Sequence, residues 1–307
     1  LDENAEIIML ERGEYISYAN CGLPYYVGGV ITDKKALQVQ TVAGFRSRFR
    51  VDVRTESEVI SVDTQKKTVQ VRHGGETYEE SYDKLVLSPG ASPVKPPIPG
   101  MEENHVFTLR NIPDTYAIYD FIEENKPKTC VVVGAGCIGL EMAENLSERG
   151  LKVTVVEGAS HVMPPIDMDM AHQVHNYIRA KGLNLYLGQT CTAMDKDGVI
   201  LGNGQKIPAD MVLLSIGVRP DTAFLKDSGI EMGARGEILV NEYMETSAAD
   251  VYALGDAVST FHVVSGAKVV IPLASPANKQ GRIVGDNLSG RRTAYKGSQG
   301  TSIMKFF

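Results

Sequence analysis

The sequence has few cysteines, no basic run and no apolar stretch of membrane-spanning length. Its four cysteines, Cys21, Cys130, Cys137 and Cys191, lie far apart, and no signal-peptide pattern opens the chain. This argues against a disulfide framework and for a reducing, cytoplasmic location. Any cysteine chemistry is therefore expected to be catalytic.

Charge, hydropathy and histidine spacing argue against a nucleic-acid partner, a membrane span and a metal site. The net charge of −7, without a cluster of Lys and Arg, argues against nucleic acid. The longest apolar stretch, residues 130–140, is interrupted by glycines and stops at Glu141, which is short of the roughly 18 residues that a membrane span needs. The histidines show no metal-ligand spacing, and His172 and His175 are expected on a helix surface, so no metal site is predicted.

One internal repeat divides the sequence. Residues 83–93 and 210–220 share an Asp, two apolar positions, Leu-Ser, a Gly and a Pro in the same order. Each copy reads as a buried strand that ends in a glycine turn, at Gly90 and at Gly217. The copies are about one nucleotide-binding domain apart, so we expect two related domains in tandem. A chance match of short apolar strands is the alternative.

The second copy contains a dinucleotide-binding fingerprint. A β-branched run at 131–133 precedes Gly134-Ala-Gly136-Cys-Ile-Gly139 and a stretch of strong helix formers, which predicts strand, loop and helix. Gly134 permits the tight turn, Gly136 lets the backbone approach a pyrophosphate, and Gly139 lets the helix lie close to the strand. A turn that binds nothing is the alternative.

An acidic residue follows this loop at the end of the next predicted strand. Glu157 lies near the expected spacing of about 20 residues from the first glycine. Its carboxylate can accept hydrogen bonds from a ribose 2′-hydroxyl and would repel a 2′-phosphate. NADH is therefore favoured over NADPH.

The first copy lacks a corresponding loop. Residues 5–11 read as the strand that follows such a loop, with Glu11 as its terminal acid, and no glycine loop precedes them. We therefore expect the chain to start about one strand and one helix into this domain.

Three segments carry a family resemblance. Ser17-Tyr-Ala-Asn-Cys21-Gly-Leu-Pro-Tyr-Tyr26 resembles the single-cysteine branch of the pyridine nucleotide-disulfide oxidoreductases, and most closely the coenzyme A-disulfide and NADH-dependent coenzyme A-persulfide reductases. Residues 246–256 look like the family's second flavin motif, and residues 273–287 resemble the segment that follows it. The resemblance covers nearly the whole chain.

The resemblance implies an α/β fold of two doubly wound dinucleotide-binding domains. An NAD domain, residues 112–238, is inserted in an FAD domain, residues 1–111 and 239–287, and residues 288–307 begin an interface domain whose remainder is absent. FAD and NADH are the implied cofactors, with coenzyme A as substrate or adduct. The full-length protein is expected to be a homodimer. Without its glycine loop, the FAD domain of this chain is expected to bind flavin weakly.

Cys21 is the predicted catalytic residue. Dithiol members of the superfamily have a second cysteine where this chain has Tyr26, so Cys21 would cycle through a mixed disulfide, a persulfide or a sulfenic acid. The predicted cofactor-binding residues are Glu11, Gly90, Gly255, Asp256, Gly134, Gly136, Gly139, Glu141, Glu157 and Gly217. The predicted substrate-binding residues are Ser17, Asn20, Arg46 and Arg48.

Several of these residues also have an ordinary structural explanation. Ser17 and Asn20 could cap the backbone around Cys21, Glu141 could be a helix acid near a positive dipole end, and the alternating arginines could be a solvated helix end. Two other functions stay open. One is an NADH oxidase or peroxidase in which Cys21 cycles through a sulfenic acid, and the other is a non-catalytic nucleotide-binding or redox-sensing module.

Overall fold

The chain has an α/β fold with parallel, antiparallel and mixed sheets over residues 2–307, which are the residues that a computed structural model describes. The strands are β1 (Ile8–Leu10), β2 (Ser17–Tyr18), β3 (Gln38–Gln40), β4 (Asp52–Arg54), β5 (Ser57–Asp63), β6 (Thr68–His73), β7 (Glu76–Ser81), β8 (Leu85–Leu87), β9 (Ala91–Pro93), β10 (Val106–Thr108), β11 (Thr129–Val133), β12 (Lys152–Glu157), β13 (Asn184–Leu187), β14 (Cys191–Asp195), β15 (Gly198–Leu201), β16 (Lys206–Pro208), β17 (Met211–Leu214), β18 (Val218–Pro220), β19 (Ile238–Leu239), β20 (Val251–Ala253), β21 (Val258–Phe261) and β22 (Lys268–Val270). The helices are α1 (Leu23–Val27), α2 (Val42–Phe49), α3 (Ile112–Asn125), α4 (Cys137–Glu148), α5 (Met168–Ala180) and α6 (Ala274–Leu288).

The chain divides into two compact units. The first unit is Leu1–Ser17, Gln40–Ser92 and Arg219–Ile303, and the second unit is Tyr18–Val39, Pro93–Val218 and Met304–Phe307. Residues 18–39 belong to the second unit because α1 packs on α3 and α4, although the sequence places them in the FAD domain. The assignment of one nucleotide to each predicted domain stays a prediction.

The second unit is built on a parallel five-stranded sheet in the order β10-β17-β11-β12-β13. Its central strands are continuous apolar runs, and Val131, Val132 and Val212 are wholly buried, as expected for a sheet covered on both faces. The antiparallel sheet β14-β15-β16 adds Met194 and Val199 to the same core.

The first unit contains several smaller sheets. β1 pairs with β4 and β8 with β20 in parallel, β5-β6-β7 is antiparallel, and β19-β21-β22 is mixed. One core cluster joins them, with Val71, Ile238 and Met244 wholly buried. Helix α6 contributes Val284 to this core.

The two repeat copies differ in burial. Gly90 and Gly217 both have positive φ angles, 72° and 110°, as the predicted turns require. The prediction of a buried strand is right for β17, in which all four residues are buried, and wrong for β8, in which Val86 is 39% exposed. Among the described strands, β8 pairs only with β20.

The glycine loop fixes helix α4 on β11. Gly134 has a φ of +102°, and a Cβ there would lie 2.3 Å from the Ser215 carbonyl oxygen. A Cβ on Gly139 would lie 2.1 Å from the Gly134 carbonyl oxygen. A Cβ on Gly136, in contrast, would meet no heavy atom within 4 Å. Two glycines therefore serve packing and the third leaves open space above the loop.

This contrast predicts different effects of two alanine substitutions on stability. Gly139→Ala should lower the free energy of unfolding by about 1–3 kcal/mol, because a backbone clash must be relieved by moving α4. Gly136→Ala, with φ at −78°, should stay within about 0.5 kcal/mol of wild type. Urea denaturation of both variants checks this, and equal midpoints would contradict the packing role of Gly139.

Candidate active site

The N-terminus of helix α4 faces the open space at Gly136. Gly136 is the N-cap, no side chain caps the helix, and α4 continues for 12 residues. The first backbone N–H groups of a helix lack intrahelical partners and carry the positive end of the dipole. The loop therefore fits the pyrophosphate of a dinucleotide, which needs backbone donors and no side chain in the way.

Glu157 lies beside this loop at the end of β12. Its Oε2 accepts a hydrogen bond from the Ala135 backbone N–H at 2.7 Å, and its Oε1 accepts one from the Ala159 N–H at 2.8 Å. Each carboxylate oxygen keeps acceptor capacity beyond these bonds. The position suits a hydroxyl-bearing ribose and disfavours an added phosphate.

A similar acid is found in the first unit. Glu11 follows β1, and its Oε1 accepts a hydrogen bond from the Gly13 N–H at 2.6 Å, the same relation that joins Glu157 to Ala159. Gly255 has a φ of +81°, and its N–H donates to Oε1 of the buried Gln280 at 2.8 Å. Helix α6 thereby holds the turn Gly255–Ala257, which contains the partly exposed Asp256. These residues fit the ribose and ribityl hydroxyls of a flavin dinucleotide.

Cys21 lies in the second unit, exposed, in the 3₁₀ turn Asn20–Gly22 directly before α1. The turn closes through a hydrogen bond from the Gly22 N–H to the Ala19 carbonyl at 2.8 Å. Asn20 Oδ1 accepts a hydrogen bond from Arg110 Nη1 at 3.2 Å. Arg110 was not among the residues predicted from the sequence. No local pattern around it indicates a contact with Asn20, which is 90 residues away along the chain.

The other three cysteines are in different environments. Cys130 is buried in β11, and burial raises the pKa of its thiol. Burial also raises the pKa of Cys191, whose Sγ lies 3.5 Å from the Ala193 carbonyl oxygen. Cys137 is exposed at the start of α4, with a pKa raised by desolvation and by Glu141. A raised pKa disfavours the reactive thiolate at all three positions.

Helix α4 also directs carboxylates toward α1. Glu141 is partly buried, and burial, followed by the charge of Glu144, raises its pKa. The pKa of Tyr25 on α1 is raised by burial and then by Glu141, Glu144 and Cys21. Helix α1 packs on α4, so Tyr25 and the carboxylates of α4 share one region of the second unit.

The predicted substrate residues do not form a single cluster within either unit. Asn20 is in the second unit, whereas Ser17, Arg46 and Arg48 are in the first. On α2, the Arg46 guanidinium donates to the Val53 carbonyl, while Arg48 lies 5.2 Å above the Phe49 ring. Alternate residues point to different sides of a helix. Both arginines are exposed, and their role in binding substrate phosphates stays a prediction.

Histidine placement differs from the sequence prediction at one residue. His175 is only 2% exposed, and its Nε2 accepts a hydrogen bond from the Val162 N–H at 3.1 Å. His175 lies on the buried face of the amphipathic helix α5, whereas His172 is exposed. The three-residue spacing between them did not indicate that one of the two would be buried. Within residues 2–307, no group of three or more His, Cys, Asp or Glu side chains is arranged to hold a metal ion.

None of the helices described in residues 2–307 has the length and apolar character needed to cross a membrane.

The chain belongs to the pyridine nucleotide-disulphide oxidoreductase family, whose sequence pattern matches residues 2–281. Coenzyme A disulfide reductase of Staphylococcus aureus is 35% identical over 310 residues, an alignment that covers 100% of this chain and 70% of that protein.

Two solved structures are similar over the whole chain. Reduced CoADR-RHD of Bacillus anthracis is 48% identical with a TM-score of 0.98, and the NAD-dependent persulfide reductase of A. fulgidus is 38% identical with a TM-score of 0.96. The chain spans 56% and 58% of the lengths of these two proteins. The family and the α/β fold predicted from the sequence are thereby confirmed.

The position of Glu157 yields a test of cofactor choice. Glu157→Ala should reduce the preference for NADH over NADPH by about tenfold or more, since a like-charge contact with a 2′-phosphate costs several kcal/mol. Binding constants for both nucleotides, measured by calorimetry, check this. Glu124→Ala removes the same charge from an exposed position on α3 and should leave the preference unchanged. Equal binding of both nucleotides by the wild type would contradict the assignment.

Proposed function

We propose that this chain forms the nucleotide-binding and thiol-reactive part of an NADH-dependent flavoprotein that reduces the disulfide or persulfide of coenzyme A at Cys21. The observation that carries the proposal is the exposed thiol of Cys21, two residues before helix α1, in a unit whose Gly136 loop fits a dinucleotide. The similarity to a coenzyme A disulfide reductase and to a persulfide reductase supports the substrate class.

The identity of residue 26 limits the redox mechanism that is open to Cys21. The ring of Tyr26 is 3% exposed and lies 5.6 Å from the ring of Tyr116 and 5.2 Å from that of Tyr119. An aromatic side chain packed in this way leaves no thiol at position 26 to form an internal disulfide with Cys21. The sulfur that reacts with Cys21 must therefore arrive with the substrate.

Reduction of a disulfide at Cys21 takes two steps. The Cys21 thiolate attacks one sulfur of the substrate, a new S–S bond forms as the old one breaks, and one coenzyme A thiolate leaves. Two electrons and one proton then convert the mixed disulfide to the Cys21 thiolate and a second thiol. Those two electrons are what FAD supplies when bound and reduced by NADH. With a coenzyme A persulfide, the Cys21 thiolate attacks the terminal sulfur, a new S–S bond forms at Cys21 as the old one breaks, and the coenzyme A thiolate leaves. Two electrons then cleave the Cys21 persulfide to the Cys21 thiolate and hydrosulfide.

The protein's own residues position the cofactors for this chemistry. Gly136 and the first N–H groups of α4 would hold the NADH pyrophosphate, and Glu157 its ribose. Glu11 and the Gly255–Ala257 turn with Asp256 would hold the flavin dinucleotide through its ribose and ribityl hydroxyls. A homodimeric assembly and a cytoplasmic location remain predictions for the whole protein.

Replacement of Cys21 is the direct test. In full-length, flavin-loaded protein, Cys21→Ser should retain reduction of the flavin by NADH and lose coenzyme A disulfide and persulfide turnover by a factor of about 100 or more, because a hydroxyl is a poor nucleophile without its own base. Stopped-flow absorbance separates the two half-reactions. Cys191→Ser, at a half-buried thiol, is the matched control and should keep turnover.

Measurements on the unmodified protein distinguish the alternative functions. Mass spectrometry of the native protein should find coenzyme A or an additional sulfur bonded to Cys21. Rapid NADH-dependent oxygen consumption with no disulfide turnover would favour the oxidase. Protein that binds nucleotide and turns over none of these acceptors would favour the non-catalytic module. Turnover that survives Cys21→Ser would make the proposed mechanism wrong.

A further inference from the structure

The short helix that follows Cys21 is held at its C-terminal end by the last residues of α4 and the residue after it. Nη1 of Arg149 donates a hydrogen bond to the Val27 carbonyl at 2.8 Å. Carbonyls in the last turn of a helix lack intrahelical donors, and a cation there also complements the negative end of the dipole. Arg149 therefore satisfies a group that α1, with five residues, cannot satisfy itself.

Arg149 is itself fixed on two sides. Its side chain is 16% exposed, its guanidinium pairs with the Glu123 carboxylate, and it lies 4.9 Å above the ring of Tyr119. Tyr119 in turn packs against Tyr26 of α1. The guanidinium thus contacts α1 directly through Val27 and indirectly through this pair of rings.

A second contact lies one turn earlier on α4. Asn145 is 1% exposed, its Nδ2 donates to the Glu141 carbonyl at 2.8 Å, and its Oδ1 has no hydrogen-bond partner among the described residues. A Cβ on Gly28 would lie 2.0 Å from that Oδ1. Gly28 has a φ of −67°, so close approach, rather than backbone conformation, requires glycine here. Helices α1 and α4 are therefore closer than any side chain at position 28 would permit.

One helix therefore joins two parts of the proposed reaction. Helix α4 begins at the Gly136 loop and, with 12 residues at about 1.5 Å each, is about 18 Å long. Its other end contacts α1, which starts two residues after Cys21. We propose that Arg149 and Asn145, with Gly28, form a positioning clamp that fixes Cys21 relative to the Gly136 loop, where the NADH pyrophosphate would bind. The proposal rests on the proposed function, because it assumes that Cys21 receives the electrons of NADH.

Misplacement of a reacting group by about 1 Å can cost about 100-fold in rate. The clamp joins α1 to the C-terminal half of α4, away from the Gly136 loop, so its effect should be confined to the steps that use Cys21. Loosening α1 should leave the Gly136 loop, at the opposite end of α4, in place. The rates of the two half-reactions should therefore separate.

Arg149→Met tests this in flavin-loaded protein. Methionine keeps an apolar stem and removes the donors. We expect amide hydrogen exchange in residues 23–28 to become about tenfold faster, flavin reduction by NADH to stay within about twofold, and kcat for coenzyme A disulfide to fall about tenfold with little change in KM. Arg149→Lys, which keeps the charge, should be intermediate. Arg179→Met, at an exposed position of α5, should match the wild type.

A compensating pair of substitutions tests the second contact. Gly28→Ala should give the same separation of half-reactions, because its Cβ overlaps Asn145 Oδ1. Adding Asn145→Ala removes that oxygen and should restore at least part of the lost kcat. A double variant no better than Gly28→Ala alone would contradict the contact.

Failure of the clamp and failure of the proposed function have different signatures. Disulfide turnover unchanged in Arg149→Met, or slowed together with flavin reduction, would overturn the clamp. A wild-type protein without disulfide or persulfide turnover would instead overturn the proposed function. The clamp would then be judged by the rate at which iodoacetamide alkylates Cys21, which Arg149→Met should change at least about fivefold and Arg179→Met should not change.

Discussion

Helix α4 can lie against β11 only because residue 139 has no side chain. The Gly134 carbonyl oxygen occupies the position that a Cβ on Gly139 would need, at 2.1 Å. This close contact sets the direction of the whole helix. Its N-terminus faces the open space at Gly136, where a pyrophosphate fits, and its last turn meets the helix that follows Cys21. The steric constraint at the start of α4 therefore also affects where Asn145 and Arg149, at its other end, meet α1.

Local patterns in the sequence predicted the parts of the site that depend on neighbouring residues. The strand β11, the glycine loop, α4 and the strand that ends at Glu157 are contiguous, and each has a characteristic composition or backbone requirement. The role of the Cys21 segment rests instead on the family resemblance and stays a prediction. Where one side chain or one backbone φ angle determines the local structure, a sequence pattern is sufficient to predict that structure.

Long-range contacts could not be predicted in this way. Arg110 meets Asn20 and Arg149 meets Val27 across separations of 90 and 122 residues, and neither arginine belongs to a local motif. The burial of His175 and the exposure of Val86 depend on which faces of α5 and β8 are covered, and tertiary packing decides that. The close approach of Gly28 to Asn145 could not be predicted from the local sequence either, because any residue can adopt the backbone conformation of Gly28.

The residue at position 26 connects packing with chemistry. An aromatic ring there excludes a second thiol, and the same ring anchors α1 between Tyr116 and Tyr119. A dithiol site can hold its two sulfurs together through an internal S–S bond, whereas a single cysteine must be held by its surroundings alone. Here those surroundings are an aromatic cluster on one side and the end of α4 on the other. Tyr26 therefore both excludes a second thiol at its position and anchors α1. In the proposed reaction, a fixed α1 would let a lone thiol meet an incoming sulfur in a constant geometry.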